Sequence, residues 1–242
     1  MDGLASKKTT GKMYICIEGT IGSGKTTLVQ ALCQKLGGAG GVLGENPIAQ
    51  LEPAEGKNPY LDKYYADPAR YALAMQIFLL SKRRRAQLAS QAYALSGAAS
   101  VVADRSYFGD RCFAEVQREL GYFSEDDFDT YLALHKDMQA ELLYPSAMIF
   151  LATSPQLALE RIARRRSQIE GRACEAGISL DYMQRLGAAI DRMVCAMSRF
   201  CPVYVVSPLA GDWEKTPDEL CKEIGVFLER LQPAYDAWQG VG

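Results

Sequence analysis

The stretch Gly19-Thr-Ile-Gly-Ser-Gly-Lys-Thr-Thr27 constrains this chain more than any other. An apolar run of strand length, Met13-Tyr-Ile-Cys-Ile-Glu18, leads into it. Leu28-Val-Gln-Ala-Leu-Cys-Gln-Lys-Leu36 follows, apolar at helical spacing and stopped by Gly37-Gly38. Strand, glycine-rich turn and helix are the context in which Gly19, Gly24, Lys25 and Thr26 read as a P-loop. Glycines let successive backbone N–H groups curl around an anion, and the helix N-terminus adds a partial positive charge. Lys25 then reaches the β- and γ-phosphates, and the Thr26 hydroxyl can ligate Mg²⁺. Gly19, Thr20, Ile21, Gly22, Ser23, Gly24, Lys25, Thr26 and Thr27 are therefore the expected ATP cradle.

At 242 residues the chain is long enough for one α/β domain with a large core. Lys and Arg total 27 against 29 Asp and Glu, for a net charge of −2, so no global field recruits nucleic acid or a membrane. Seven cysteines are scattered without C-x-x-C or metal-type spacing, as small buried hydrophobes of a reducing compartment would be. Residues 1–12 are polar and lack the apolar region of a secretory signal. No apolar run approaches the ~20 residues that span a bilayer. The expectation is a soluble, cytoplasmic protein with a tail at 1–12, one domain at 13–232 and a second tail at 233–242.

Along the chain, Gly37 to Gly44 reads as a flexible connection, and Pro47 to Leu51 as a short strand leading to Glu52-Pro53. A polar turn carrying Tyr60, Tyr64 and Tyr65 precedes a long helix over 69–96, with Asp67 as N-cap and Pro68 at its first position. Ser100-Val-Val-Ala-Asp104 is a buried strand. Helices are expected over 107–120, 124–143, from Pro155 through the Arg-rich 161–166, over 180–200 and over 217–231, with strands at 147–152 and 203–206. Strands alternating with helices predict a mostly parallel sheet of about five strands covered on both faces.

Ligands of open α/β sheets gather at the carboxyl ends of the strands. Those ends supply the P-loop, Glu52, and Asp104 with Arg105. Asp104 is placed to hold Mg²⁺, and arginines to neutralise charge on a transferring phosphoryl group. The single histidine, His135, falls inside a helix away from every strand end, so it reads as a helix-surface or core histidine rather than a base. A carboxylate must then act as base, and Glu52 is the candidate.

The P-loop, Glu52-Pro53, Asp104-Arg-Ser106 and the Arg-rich segment together resemble the deoxyribonucleoside kinases. The likeness runs from Tyr14 to Leu231. Asn58-Pro-Tyr-Leu, Tyr65-Ala-Asp-Pro-Ala-Arg-Tyr-Ala and Gln76-Ile-Phe-Leu-Leu-Ser-Lys-Arg83 are similar to the deoxyadenosine/deoxyguanosine kinase branch. The resemblance implies a P-loop NTPase-type fold with a lid at about 161–177, and ATP-dependent phosphorylation of a deoxynucleoside 5′-hydroxyl. It makes Glu52 the base and Arg105 the residue beside the transition state. Gln76, Arg83 and Asp110 would meet the nucleobase, Tyr65 and Glu175 the sugar 3′-hydroxyl, and Arg161, Arg165 and Arg172 the phosphates. It further implies a homodimer packed through the helices at 69–96 and 124–143.

Each assignment has a plainer alternative. Gln76 and Arg83 share one helical face that a solvated stripe would also produce. Asp110 can pair with Arg111, Tyr65 can be core, and Arg164 to Arg166 can be a solvated helix end. The lid is longer than the family pattern, which leaves Glu170 and Arg166 as alternatives to Glu175 and Arg172. Glu45-Asn-Pro47 imitates Glu52-Pro53, but the downstream Asn58-Pro59 and Tyr65 favour Glu52. Keeping both Arg83 and Asp110 favours deoxyadenosine or deoxyguanosine, then deoxycytidine. The competing functions are a thymidylate kinase-like nucleotide kinase and a non-catalytic nucleotide-binding member of the family.

Overall fold

A computed structural model of the protein describes residues 11–52, 58–166, 177–207 and 216–239. Five strands form one sheet: β1 (Tyr14–Gly19), β2 (Ile48–Gln50), β3 (Val101–Asp104), β4 (Ala147–Leu151) and β5 (Val203–Val206). Their order is β2-β3-β1-β4-β5 and every pairing is parallel. β1, β3 and β4 are buried along their whole length, which is why they read as continuous apolar runs rather than alternating ones. The register sets Ile17 against Asp104 and Gly19 against Leu151. The P-loop and the β3 carboxylate therefore leave the sheet side by side.

Side chains alternate across the sheet and divide the core into two layers. Ile15, Ile17, Val102 and Ile149 pack with Leu28 and Leu32 of α1 (Lys25–Leu36) and with Ile224 and Leu228 of α8 (Pro217–Gln239). Tyr14, Cys16, Ala103 and Met148 face α3 (Pro68–Leu95), α4 (Asp110–Glu119), α5 (Glu125–Gln139) and α7 (Leu180–Met197). The short α2 (Leu61–Ala66) lies against α3, and α6 (Pro155–Arg166) against α7.

Local chemistry sets several of the boundaries. The Asp67 carboxylate accepts from the Arg70 amide, with Pro68 opening α3. Ser124 and Asp127 form a reciprocal capping box on α5, and the Ser179 hydroxyl accepts from the Tyr182 amide at the start of α7.

The structure corrects four expectations. The turn carrying Tyr60, Tyr64 and Tyr65 contains α2, because buried Tyr64 gives that segment an apolar anchor. The segment 37–44 is not a loose connection: Leu43 is fully buried in the α1 layer, and Gly38 N–H donates to the Gly44 carbonyl at 3.0 Å. The helix after β3 begins at Asp110 rather than Tyr107, leaving residues 105–109 as a turn. The last helix continues past Leu231, through Pro233, to Gln239.

Ile149 sits on β4, flanked by β1 and β5, with no exposed surface. Ile149→Ala is expected to cost ~2–5 kcal/mol in urea unfolding and Ile149→Val ~0.5–1.5 kcal/mol. An alanine variant as stable as the parent would contradict this packing.

Candidate active site

The P-loop adopts a conformation that only glycine accommodates easily. Gly22 and Gly24 have φ of 75° and 93°, and a Cβ on Gly22 would lie 2.6 Å from the Ala158 carbonyl oxygen of α6. α1 starts at Lys25, so the motif itself forms its first turn. The Lys25 ammonium donates to the Thr20 carbonyl at 2.8 Å. Desolvation and the nearby Arg105 lower its pKa to about 8, against the opposing pull of Asp104, Glu52 and Glu18. Arg161 is buried behind the loop and donates to the Ser23 carbonyl at 3.1 Å.

The Thr26 hydroxyl donates to Asp104 Oδ2 at 2.5 Å, while Asp104 Oδ1 is buried without a hydrogen-bond partner. A hydroxyl beside an orphaned carboxylate oxygen at a phosphate cradle suits a hard divalent cation such as Mg²⁺. Among the described residues no group of three or more His, Cys, Asp or Glu gathers.

In front of the loop is a cavity of about 460 Å³. Gly22, Lys25 and Thr26 line one end, Glu52, Asp104 and Arg105 the middle, and Gln76, Arg83 and Gln87 of α3 the far wall. Glu52 Oε1 receives Arg83 Nη1 at 2.8 Å and Arg105 Nε at 3.1 Å. Desolvation pushes the Glu52 carboxyl up, but Arg83, Arg105 and Lys25 outweigh it and hold the pKa down to about 2. Arg83 is shared, since its Nε donates to Asp110 Oδ1 at 2.5 Å. The other Asp110 oxygen accepts from the Tyr131 hydroxyl at 2.7 Å, and Asp110 is fully buried. The Phe113 ring lies 4.7 Å from the Arg105 guanidinium and 5.9 Å from that of Arg83. Gln76 is completely buried, yet neither atom of its side-chain amide has a partner.

Seven-residue spacing on α3 does put Gln76 and Arg83 on one wall, and that wall faces the cavity rather than water. Asp110 pairs with Arg83 and Tyr131, not with Arg111, which bonds Glu115. Tyr65 and Arg165 also line the cavity. Ile21 lines it as well, while Thr27 is exposed beyond the loop. Glu45 and Arg166 are exposed and take no part in its wall. Arg172, Glu175 and the alternative Glu170 lie outside the described residues. His135 is buried in a stack on Tyr107 with centroids 4.5 Å apart, and desolvation lowers its pKa. Sequence reasoning missed Tyr131, Phe113 and Tyr182, which only the fold brings to the site. It also missed Glu18, although a charged residue closing an apolar strand is the same signal that singled out Asp104.

The deoxynucleoside kinase family profile matches residues 15–224. The chain belongs to the deoxynucleoside kinases. It is 32% identical over 232 residues to a deoxyadenosine kinase of Dictyostelium discoideum, covering 95% of this chain and 85% of that one. A deoxyguanosine kinase of the same organism is 33% identical over 199 residues, 80% of this chain and 65% of the relative. Among solved structures it is similar to the deoxyadenosine kinase from M. mycoides with the products dCMP and a flexible dCDP bound. That match has TM-score 0.71 and 25% identity, over 88% of this chain and 100% of that one. The protein is thus an ATP-dependent phosphotransferase with a hydroxyl acceptor.

The lowered pKa of Lys25 has a measurable consequence. Lys25 is charged below about pH 8 and loses its proton above it in the free kinase. The Kd for ATP is expected to rise as pH passes that point, by at most ~10-fold per unit. A Lys25→Met variant is expected to bind weakly throughout and lose the break; a break that survives in that variant would assign it to another group.

Proposed function

We propose that the kinase phosphorylates the 5′-hydroxyl of a deoxypurine nucleoside, deoxyadenosine or deoxyguanosine, with deoxycytidine next. The observation that carries this is the unpartnered Gln76 amide, buried on the helix α3 that also brings Arg83, the partner of Asp110, to the cavity. A buried amide offering both a donor and an acceptor requires a planar polar partner, which the edge of a nucleobase supplies. The names of the relatives support the same substrates, and the dCMP held by the M. mycoides enzyme supports deoxycytidine as the third.

On this reading Glu52 orients the acceptor hydroxyl and takes its proton. The carboxyl is ionised throughout the neutral range and, between two arginines, is a weak base. A nucleobase that engages Arg83 draws positive charge away from Glu52 and strengthens it at the moment the hydroxyl arrives. Arg105 remains beside Glu52 to stabilise charge on the transferring group, Lys25 and the P-loop amides hold the donor phosphates, and Tyr65 meets the sugar. Arg165 faces the phosphates and Arg161 sets the loop from behind, while the roles that the family resemblance gives to Arg172 or Arg166, and to Glu175 or Glu170, rest on that resemblance alone. Thr26 and Asp104 would hold Mg²⁺, which neutralises phosphate charge when bound.

A nucleoside monophosphate as acceptor would need cations free to receive its phosphate. Both arginines at the acceptor end are already committed to Glu52, with Arg83 also on Asp110. We further infer a cytoplasmic homodimer. Tyr93 and Leu95 at the end of α3, with Leu143 and Tyr144 beyond α5, leave apolar surface exposed that a second copy would cover. No helix among the described residues is long and apolar enough to cross a membrane.

Turnover of the four deoxynucleosides with ATP and Mg²⁺ is the deciding assay, with the highest kcat/KM expected for a deoxypurine. Thymidine as the best substrate would reject the assignment. Glu52→Gln is expected to lower kcat by ~10²-fold or more. A variant at the parental rate would remove Glu52 from the chemistry.

A further inference from the structure

Glu18 is the last but one residue of β1, on the sheet face shared by Tyr14 and Cys16. It has no exposed surface. One carboxylate oxygen, Oε1, accepts from the Ser106 amide at 2.7 Å and from the Ser106 hydroxyl at 2.6 Å. The Ser106 hydroxyl in turn accepts from the Gly109 amide at 3.3 Å. The chain is built closely around this group: a Cβ at Gly109 would lie 2.6 Å from Oε1 and 2.9 Å from Oε2. The second oxygen, Oε2, makes no hydrogen bond, and Arg105 Nη1 lies 3.7 Å from it.

Arg105 is the residue that this arrangement controls. Its φ of 75° is left-handed, a conformation that a side chain of this size adopts only when its surroundings enforce it. The Ile17 carbonyl holds the Arg105 amide at 3.0 Å, and Glu18 holds the next amide, that of Ser106. The backbone is therefore pinned on both sides of the turn by consecutive residues of β1. The same turn directs the guanidinium into the cleft, where Nε meets Glu52 while Nη1 faces Glu18. Arg105 thus stands between a carboxylate at its back, buried and fixed, and one in front that lines the acceptor cavity.

We propose that Glu18 is a positioning residue for phosphoryl transfer, anchoring the Arg105 guanidinium from behind so that it keeps its place when Glu52 engages the acceptor hydroxyl. The two Ser106 hydrogen bonds need an acceptor at that position but not a charge, which a glutamine would provide without desolvating a carboxylate. A carboxylate there gives the guanidinium a second partner that does not change through the reaction. The proposal rests on the reading of Arg105 as a residue that acts on the transferring phosphoryl group.

The test is a double-mutant cycle with purified full-length protein. Glu18→Gln keeps the size of the side chain and an acceptor for Ser106 but removes the charge facing Nη1. It is expected to lower kcat ~10- to 100-fold, the scale of a small displacement of a catalytic group, with KM for ATP and deoxynucleoside within about threefold. Arg105→Ala is expected to lower kcat more, and adding Glu18→Gln to it to cost less than about twofold further, because the two act through one group. Ser106→Ala, which keeps the backbone donor, should lower kcat less than Glu18→Gln and serves as the cycle partner if that variant fails to fold. Three results would overturn the proposal: Glu18→Gln at parental kcat, equal fold-losses with and without Arg105, or a loss carried wholly by KM. Full kcat in Arg105→Ala would overturn the reading of Arg105 as well.

Discussion

Charged groups at the carboxyl end of a buried parallel sheet must be paired, and here the pairing organises the cleft. Glu18, Glu52 and Asp110 meet Arg83 and Arg105 in one connected set, and Lys25 and Asp104 feel its field from the P-loop side. Removing one member leaves an uncompensated charge, which is far more costly than the pair is stabilising. The set exists because β1 and β3 are adjacent and parallel, with Ile17 opposite Asp104. That register delivers the P-loop and the Asp104-Arg-Ser106 turn to the same place, and the apolar layers beneath hold it.

The proposed donor and acceptor functions divide along the same line. The P-loop end depends on backbone conformation, on glycines at positive φ and a helix beginning at Lys25. The acceptor end depends on side chains carried by α3, a single helix of 28 residues spanning the cavity wall. Glu52 and Arg105 lie at the junction, within reach of both. The proposed coupling between nucleobase recognition and the strength of Glu52 follows from Arg83 being shared between Glu52, the proposed base, and Asp110, at the proposed nucleobase end.

The sequence was most legible where one local rule decides the structure. The P-loop was readable because strand, glycines, lysine and helix are consecutive, and the central strands because fully buried parallel strands are apolar throughout. Gln76 and Arg83 could be placed on one face, but not on an inward one, because helical periodicity does not say which neighbour covers it. Their assignment to a pocket came from family resemblance, and the fold supplies the facing wall. Tyr131, Phe113 and Tyr182 reach the site from α5, α4 and α7 through tertiary packing, which leaves no mark at any spacing in the chain. Leu43 shows the reverse error: a glycine-rich segment read as loose is anchored by one apolar residue.

The central claim is that the acceptor is a hydroxyl presented to Glu52 rather than a phosphate presented to the arginines. The most direct test compares the purified kinase's turnover of a deoxynucleoside with that of the corresponding deoxynucleoside monophosphate, with ATP and Mg²⁺ as donor. This account predicts efficient phosphorylation of the nucleoside and negligible turnover of the monophosphate. Monophosphate turnover equal to or faster than that of the nucleoside would contradict it.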